Sequence, residues 1–311
     1  MVGHHYIEIS NKRISYKFTI ERNISIIRGD SATGKSELLR LINEYSNYGV
    51  DSGIELKSDV NLVVIDSSNW KEHMNDKNTI LFIDEVNYVY KTTEFVRLLK
   101  KSDCYCVIIS RESLDTLPYS INSIYKMIYT GTYNTLVKMY DGNKFYTGRV
   151  IEYNTIVTED KKSSFFAMKE ISSLDVDCCS GNSTVLPILV NGNLNNSIVL
   201  VDGAAFGPYI EDLLNCRLNL LVLCPESFEY LILKSGIVDI ERKYYIEFYE
   251  KGNIESSKYF SYERYFTHLL TEFSGDTFNY SKGYDLKIYK SAKFKSLMTK
   301  VFNDEFSLEM K

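Results

Sequence analysis

Proline is scarce, at 4 of 311 residues, which argues against long disordered linkers. Histidine is equally rare, at 4, and lies elsewhere in the chain than the six cysteines, Cys104, Cys106, Cys178, Cys179, Cys216 and Cys224. Cys104-Tyr-Cys106 and Cys178-Cys179 have no second pair at zinc-ligand spacing, so buried, reduced thiols are expected rather than a metal site. Positive charge is not in excess: Lys and Arg total 36 against 41 Asp and Glu, a net charge of −5. That excludes a whole-surface nucleic-acid footprint while leaving room for a local basic patch. No apolar run reaches the length of a membrane span, and Met1–Ser10 lacks the apolar core of a signal peptide. The expectation is a cytoplasmic protein with no membrane partner. What remains is an ordinary globular composition, 44% hydrophobic and 25% charged, long enough for two domains with separate cores.

One stretch stands out against this background. Gly29-Asp30-Ser31-Ala32-Thr33-Gly34-Lys35-Ser36 fills the G-x-x-x-x-G-K-[ST] pattern at every specified position. Ile24, Ile26 and Ile27 precede it in a β-branched run. Leu38, Leu39, Leu41, Ile42 and Tyr45 follow on one helical face, with Asn47 and Gly49 as a stop. Strand, glycine-rich loop and helix is the context in which backbone N–H groups converge on a phosphate. Lys35 is expected to reach the β and γ phosphates of ATP, and the Ser36 hydroxyl to ligand Mg²⁺.

The neighbouring sequence extends the reading. Tyr6–Ile9 and Ile14–Ile20 alternate apolar and polar residues around Asn11-Lys12, a hairpin signal. Asp51–Lys57 reads as loop and Val60–Ile65 as a buried strand. Thr79-Ile-Leu-Phe-Ile-Asp84-Glu85 is four apolar residues running into two acids. Asp84 can hold the Mg²⁺ shell opposite Ser36, and Glu85 can take the proton of an attacking water. Cys104–Ser110 is a further buried strand, with Arg111 next. Ser110 can orient the water and Arg111 can meet a phosphate; a plain strand end with a solvated arginine suits them equally. Together these motifs resemble P-loop ATPases of the AAA and ABC types, with Asp84-Glu85 as Walker B and Ser110 at the sensor position. The Leu-Ser-Gly-Gly signature of ABC ATPases is missing. In AAA-type sites an arginine often comes from a neighbouring subunit, so the resemblance allows a homo-oligomer with Arg111 in that role. A kinase is the enzymatic alternative, but no acceptor site is recognisable.

Downstream, Leu136–Tyr140 and Phe145-Tyr146 read as a hairpin on Asp141-Gly142, and the polar interval Thr158–Ser164 as a domain boundary. Beyond it, strands at Leu174–Cys179, Ile198–Val201 and Leu218–Cys224 alternate with helices at Thr184–Val190 and Tyr209–Leu214. Pro225 suits a third helix's first turn. This half resembles the Toprim-like domains that accompany P-loop ATPases in OLD-type proteins linked to phage defence, and the two-part order also resembles small bacterial ATP-binding proteins. Such domains carry Glu-Gly after one strand and Asp-x-Asp after a later one, and hold Mg²⁺ for phosphodiester cleavage. On that resemblance Ser180-Gly181 falls at the Glu-Gly position and Asp202-Gly203-Ala204 keeps only the first aspartate, with Glu226 and Glu229 as further acids. Asp202 is then the metal candidate of a degenerate, non-cleaving domain; a tight turn without chemistry is the alternative. In the tail, an alternating Tyr244–Tyr249 run precedes helical patterns. Lys287, Lys290, Lys293, Lys295 and Lys300 read as the solvated face of a helix in preference to a phosphate-backbone patch.

The expected fold is therefore α/β: a P-loop ATPase core with a mainly parallel sheet over residues 1–160, then a Toprim-like α/β domain over 171–235 with a helical extension to 311. The expected function is Mg²⁺-dependent ATP hydrolysis driving a non-cleaving second domain. A module that ATP switches on a protein or nucleic-acid partner without turnover, and an ATPase-coupled nuclease, are the alternatives.

Overall fold

The computed structural model describes residues 1–29, 33–149, 152–240, 244, 254–275, 280 and 286–308. The chain is α/β with mixed, mostly parallel sheets and divides into two compact units. Unit 1 is Met1–Asp141 with Tyr245–Ser261; unit 2 is Gly142–Tyr244 with Tyr262–Lys311. The division falls well before the polar interval at Thr158–Ser164, so residues 142–160 belong with the second half. Among the described residues no helix is long and apolar enough to cross a membrane.

In unit 1 the described residues form helices α1 (Lys35–Tyr48), α2 (Trp70–His73) and α3 (Thr93–Leu99) and a nine-stranded sheet. Its order is β4(Glu55–Ser58)-β1(His5–Ser10)-β2(Ser15–Ile20)-β9(Asn134–Lys138)-β8(Ile124–Tyr129)-β3(Ile24–Arg28)-β7(Tyr105–Ile109)-β6(Thr79–Ile83)-β5(Asn61–Ile65). From β8 to β5 neighbouring strands are parallel, while β1 pairs antiparallel with β2 and β4. The Tyr6–Ile20 hairpin is present as expected. The Asp51–Lys57 loop is not: its second half is edge strand β4, whose short Glu-Leu-Lys-Ser run has too little apolar character to signal a strand.

β4 and β5 occupy opposite edges yet are separated only by Asp59 and Val60. Three residue steps span at most about 11 Å, whereas eight strand spacings in a flat sheet would cover about 38 Å. The sheet must therefore curl. What it curls around is α1 (Lys35–Tyr48), whose Leu38, Leu39, Leu41 and Ile42 pack in one core with Ile7, Phe18, Ile27, Leu62, Phe82 and Val107. The gap between the two edges is a groove of about 620 Å³ lined by Tyr45, Leu56, Leu62 and Thr79 among others.

In unit 2 the described strands run β10(Lys144–Thr147)-β14(Leu220–Leu223)-β13(Ser197–Leu200)-β11(Thr155–Thr158)-β12(Asp175–Cys178). All pairs are parallel except β10 with β14. The hairpin expected on Asp141-Gly142 does not form. β9 pairs with β8, and β10 pairs with β14, whose Leu220–Leu223 are fully buried, so burial outweighs the local turn signal. Helices α4 (Ser163–Ile171), α5 (Asn182–Asn191), α6 (Gly207–Leu214) and α7 (Phe228–Lys234) connect these strands or follow them. Pro225 lies ahead of α7 rather than in its first turn, which is capped instead by Ser227 through Tyr230 N at 3.2 Å. Helices α8 (Tyr262–Phe273), α9 (Leu286–Tyr289) and α10 (Ala292–Phe306) complete the described part. α10 buries Phe294, Met298, Val301, Phe302 and Phe306, while Lys293 and Lys300 are exposed and Lys295 pairs with Glu170 at 2.7 Å. These lysines occupy a solvated helix face; the Lys287 side chain, and the run from Tyr245 to Tyr249, lie outside what is described.

Candidate functional site

Three adjacent parallel strands, β3, β7 and β6, end at the same edge of unit 1. Register pairs Ile27 with Ile109 and Ile108 with Ile83. Gly29, Ser110-Arg111 and Asp84-Glu85 therefore leave the sheet side by side, at the C-terminal strand ends where α/β sheets place their chemistry. Asp30, Ser31 and Ala32 fall outside the described residues.

The loop's conformation explains its glycines. Gly29 (φ 125°) and Gly34 (φ 89°) both adopt left-handed backbone. A Cβ on Gly34 would meet the Tyr16 hydroxyl at 3.0 Å, and one on Gly29 would lie 3.8 Å from Lys35 Nζ. The buried Tyr16 hydroxyl, from β2, donates to Gly34 O at 2.8 Å and so fixes the start of α1. Burial pushes that phenol's pKa up, which keeps it a donor. Lys35 is buried, and its ammonium donates to Gly29 O and to Thr33 Oγ1, each at 2.8 Å. Ser36 is exposed on the first turn of α1. Two left-handed glycines beside one buried ammonium make a donor set whose chemistry suits an anion.

Asp84 and Glu85 are half-buried at the end of β6. Asp84 Oδ1 accepts from Glu85 N at 2.7 Å, and its carbonyl accepts from Asn87 N at 2.9 Å, which turns the chain sharply. Glu85 Oε1 lies 3.1 Å from Arg111 Nη2. Ser110 is buried, and its hydroxyl donates to Glu112 O at 2.9 Å and accepts from Glu112 N at 3.1 Å. Ser110 is thus engaged in shaping the turn that carries Arg111, rather than facing outward to orient a water. Neighbouring Arg28 is also buried. Its Nη2 donates to Ser113 Oγ at 3.1 Å, while Nη1 has no partner among the described residues.

Unit 2 gathers a second group that sequence reasoning placed incorrectly. β11 is the first strand of its parallel run, and the residue after it is Glu159. Ser180-Gly181 instead follows the second strand, β12, with Ser180 exposed. An acid thus follows the first strand of the run, within the interval read as a boundary. Glu159 Oε2 accepts from Asp202 N at 3.2 Å, and Asp202 Oδ1 accepts from Phe228 N at 2.9 Å at the start of α7. Gly203 is required by close approach: a Cβ there would sit 2.7 Å from Cys224 O. Glu159, Asp160, Lys162, Asp202, Glu229 and Glu263 line a cavity of about 20 Å³, room for about one water. Glu226 does not line it. Tyr280 donates to Glu229 Oε1 at 2.7 Å, while the buried Glu229 Oε2 has no partner among the described residues.

Crowding and burial set the protonation of these acids. Burial raises Glu159 to about 7, with Asp160 and Glu263 adding to the rise. Burial, then Glu229 and Glu159, raises Asp202 well above the ordinary range, and burial followed by Glu263 raises Glu229. Among the described residues no group of three or more His, Cys, Asp or Glu could hold a metal ion. Asp202 serves as a cap on α7, and the pocket does not fit a directly coordinated metal.

No protein-family model matches this chain, and no curated protein or solved structure matches it either.

Proposed function

We propose that the chain binds ATP with Mg²⁺ at the strand ends of unit 1 and hydrolyses it. The observation that supports this most is the convergence of Gly29, Gly34 and Lys35 with Asp84 and Glu85 on one sheet edge, although β6 and β3 are separated by β7. In this reading the phosphates lie beside Gly29 and Thr33, and Gly34 opens the helix whose N-terminus faces them. Lys35 exchanges its Gly29 and Thr33 acceptors for β and γ phosphate oxygens. Ser36 and Asp84 would hold Mg²⁺, which would supply neutralisation of the phosphate charge. Glu85 takes the proton of a water whose oxygen bonds to the γ phosphorus as the bridging bond to ADP breaks. Purified protein should release phosphate from ATP. Lys35→Ala should lose nucleotide binding, and Glu85→Gln should bind but turn over at least 100-fold more slowly, on the order of a lost general base. Equal turnover in all three would remove the assignment.

Unit 2 is, in the same proposal, a Toprim-like module that does not cut nucleic acid unaided, and phage defence is the role the resemblance suggests. The support is no longer a missing acid, since Glu159 supplies one. Instead, Asp202 Oδ1 and Glu159 Oε2 are spent on backbone N–H groups, and two-metal cleavage needs several free carboxylate oxygens. Mg²⁺-dependent cleavage of DNA or RNA that Asp202→Ala abolishes would refute it.

A further inference from the structure

Arg28 is the last residue of β3, one step before Gly29. An arginine is almost never enclosed without a charged partner, yet this one is only 5% exposed. Ile27 packs with α1, so strand alternation turns Arg28 to the other face of the sheet, against the loop after β7. There its Nη2 donates to Ser113 Oγ at 3.1 Å and lies 3.5 Å from the Tyr119 hydroxyl, both uncharged groups. The enclosed Nη1 has no partner, and no carboxylate pairs with the guanidinium, among the described residues. The Glu112 carboxyl is held low by Lys91 first and by Arg28 least, and its side chain is 72% exposed. The register partner of Arg28 on β8 is a second cation, Lys126.

A buried charge without a counter-charge costs stability, and an apolar side chain of similar length in its place relieves that cost. Sequences keep such a cost where it serves a site. The nearest site is one residue away, at the Gly29–Lys35 loop. We propose that Arg28 is a fixed source of positive potential behind that loop, which selects the more highly charged polyphosphate. It acts through space and touches no ligand. Because the guanidinium is held out of water, its field is stronger and less screened by salt than that of an exposed lysine. Such an attraction grows with the ligand's negative charge, so a triphosphate gains more from it than a diphosphate.

The inference rests on the ATP reading of unit 1, and one set of titrations separates the two. The full chain, its Arg28→Met variant and a Ser113→Ala, Tyr119→Phe double variant are titrated with ADP and with the non-hydrolysable β,γ-imido analogue of ATP, each with Mg²⁺. All three are also melted without nucleotide. Arg28→Met should bind the analogue about ten-fold more weakly and ADP about three-fold more weakly. The same variant should melt at the wild-type temperature or above it, since an uncompensated charge has gone. The double variant removes the acceptors of Arg28 and keeps its charge, so it should bind both nucleotides as the wild type does. Arg28→Met protein that binds both as tightly as the wild type, or loses both equally, would overturn the inference and leave the ATP reading standing. So would Arg28→Met protein that melts lower or does not fold, or a double variant that loses as much affinity, since either makes Arg28 a structural tie for the loop after β7. Wild-type protein that binds neither nucleotide would refute the ATP reading, and the inference with it.

Discussion

At the scale of single residues, the acids of unit 2 carry a measurable consequence. Glu159 is raised to about 7 from an ordinary value of 4.5, chiefly by burial. Between those values the folded chain keeps a proton that the unfolded chain has released. Unfolding then loses protons, so stability is fullest below pH 4.5 and declines as pH climbs to 7. Asp202 and Glu229 shift in the same direction and add to the slope. From pH 5 to pH 8, unit 2 should lose up to roughly 3 kcal/mol through Glu159 alone, and Glu159→Gln should flatten the curve. The single tryptophan, Trp70, is buried in unit 1, so its fluorescence follows that unit. Circular dichroism change that the fluorescence does not share reports unit 2. A unit 2 midpoint that is flat or rises over this range would contradict the assignment of buried protonated acids.

At the scale of elements, what could be read in advance depended on whether the signal was local. The glycine-rich loop, β3, α1, β6 and β7 each announce themselves within a few residues: a glycine pair, a β-branched run, a 3.6-residue stripe, a strand ending in acids. β10 could not be found this way, since its partner β14 lies more than 70 residues on and a good Asp-Gly turn signal pointed to the wrong mate. Glu159 was missed for a related reason. Ile156-Val157-Thr158-Glu159 has the same strand-into-acid form as Ile83-Asp84, but the acid falls in the polar interval Thr158–Ser164 and so reads as linker. Taking β12 for the first strand then set the comparison one strand late, at Ser180 rather than Glu159. The Asp202-Gly203 turn has a structural reason as well, because β13 and β14 exits come within backbone contact. Gly203 N donates to Pro225 O at 2.7 Å. Gly203→Ala would drive a methyl to 2.7 Å from Cys224 O, forcing two strand ends apart. It should cost unit 2 about 1–3 kcal/mol in urea unfolding while leaving Trp70 fluorescence unmoved. A silent Gly203→Ala would mean that this approach is loose.

At the scale of the whole molecule, the chain does not finish unit 1 before starting unit 2. Residues 254–261 return to unit 1, and Glu255 is what fastens them. Its carboxylate accepts from Arg22 Nε at 3.1 Å and Nη2 at 2.9 Å, and from Asn23 N at 3.1 Å, with both side chains buried. Asn23 also donates to Phe260 O at 2.8 Å. Removing one member of a buried pair leaves the other charged and unsolvated, so Glu255→Ala should destabilise unit 1 by about 3–5 kcal/mol, read by Trp70 fluorescence. No loss would mean that the returning segment is not part of that fold. The fastening also sits at the start of β3, the strand that delivers Gly29 to the site.

The account stands or falls on whether that delivered loop holds nucleotide. Calorimetric titration of the full chain with the β,γ-imido ATP analogue, with and without Mg²⁺, asks this most directly. The prediction is saturable one-to-one binding per chain that strengthens with Mg²⁺ and drops at least ten-fold in Lys35→Ala, whose melting curve stays like that of the wild type. Wild-type and Lys35→Ala chains that take up the analogue equally well, or not at all, would contradict it.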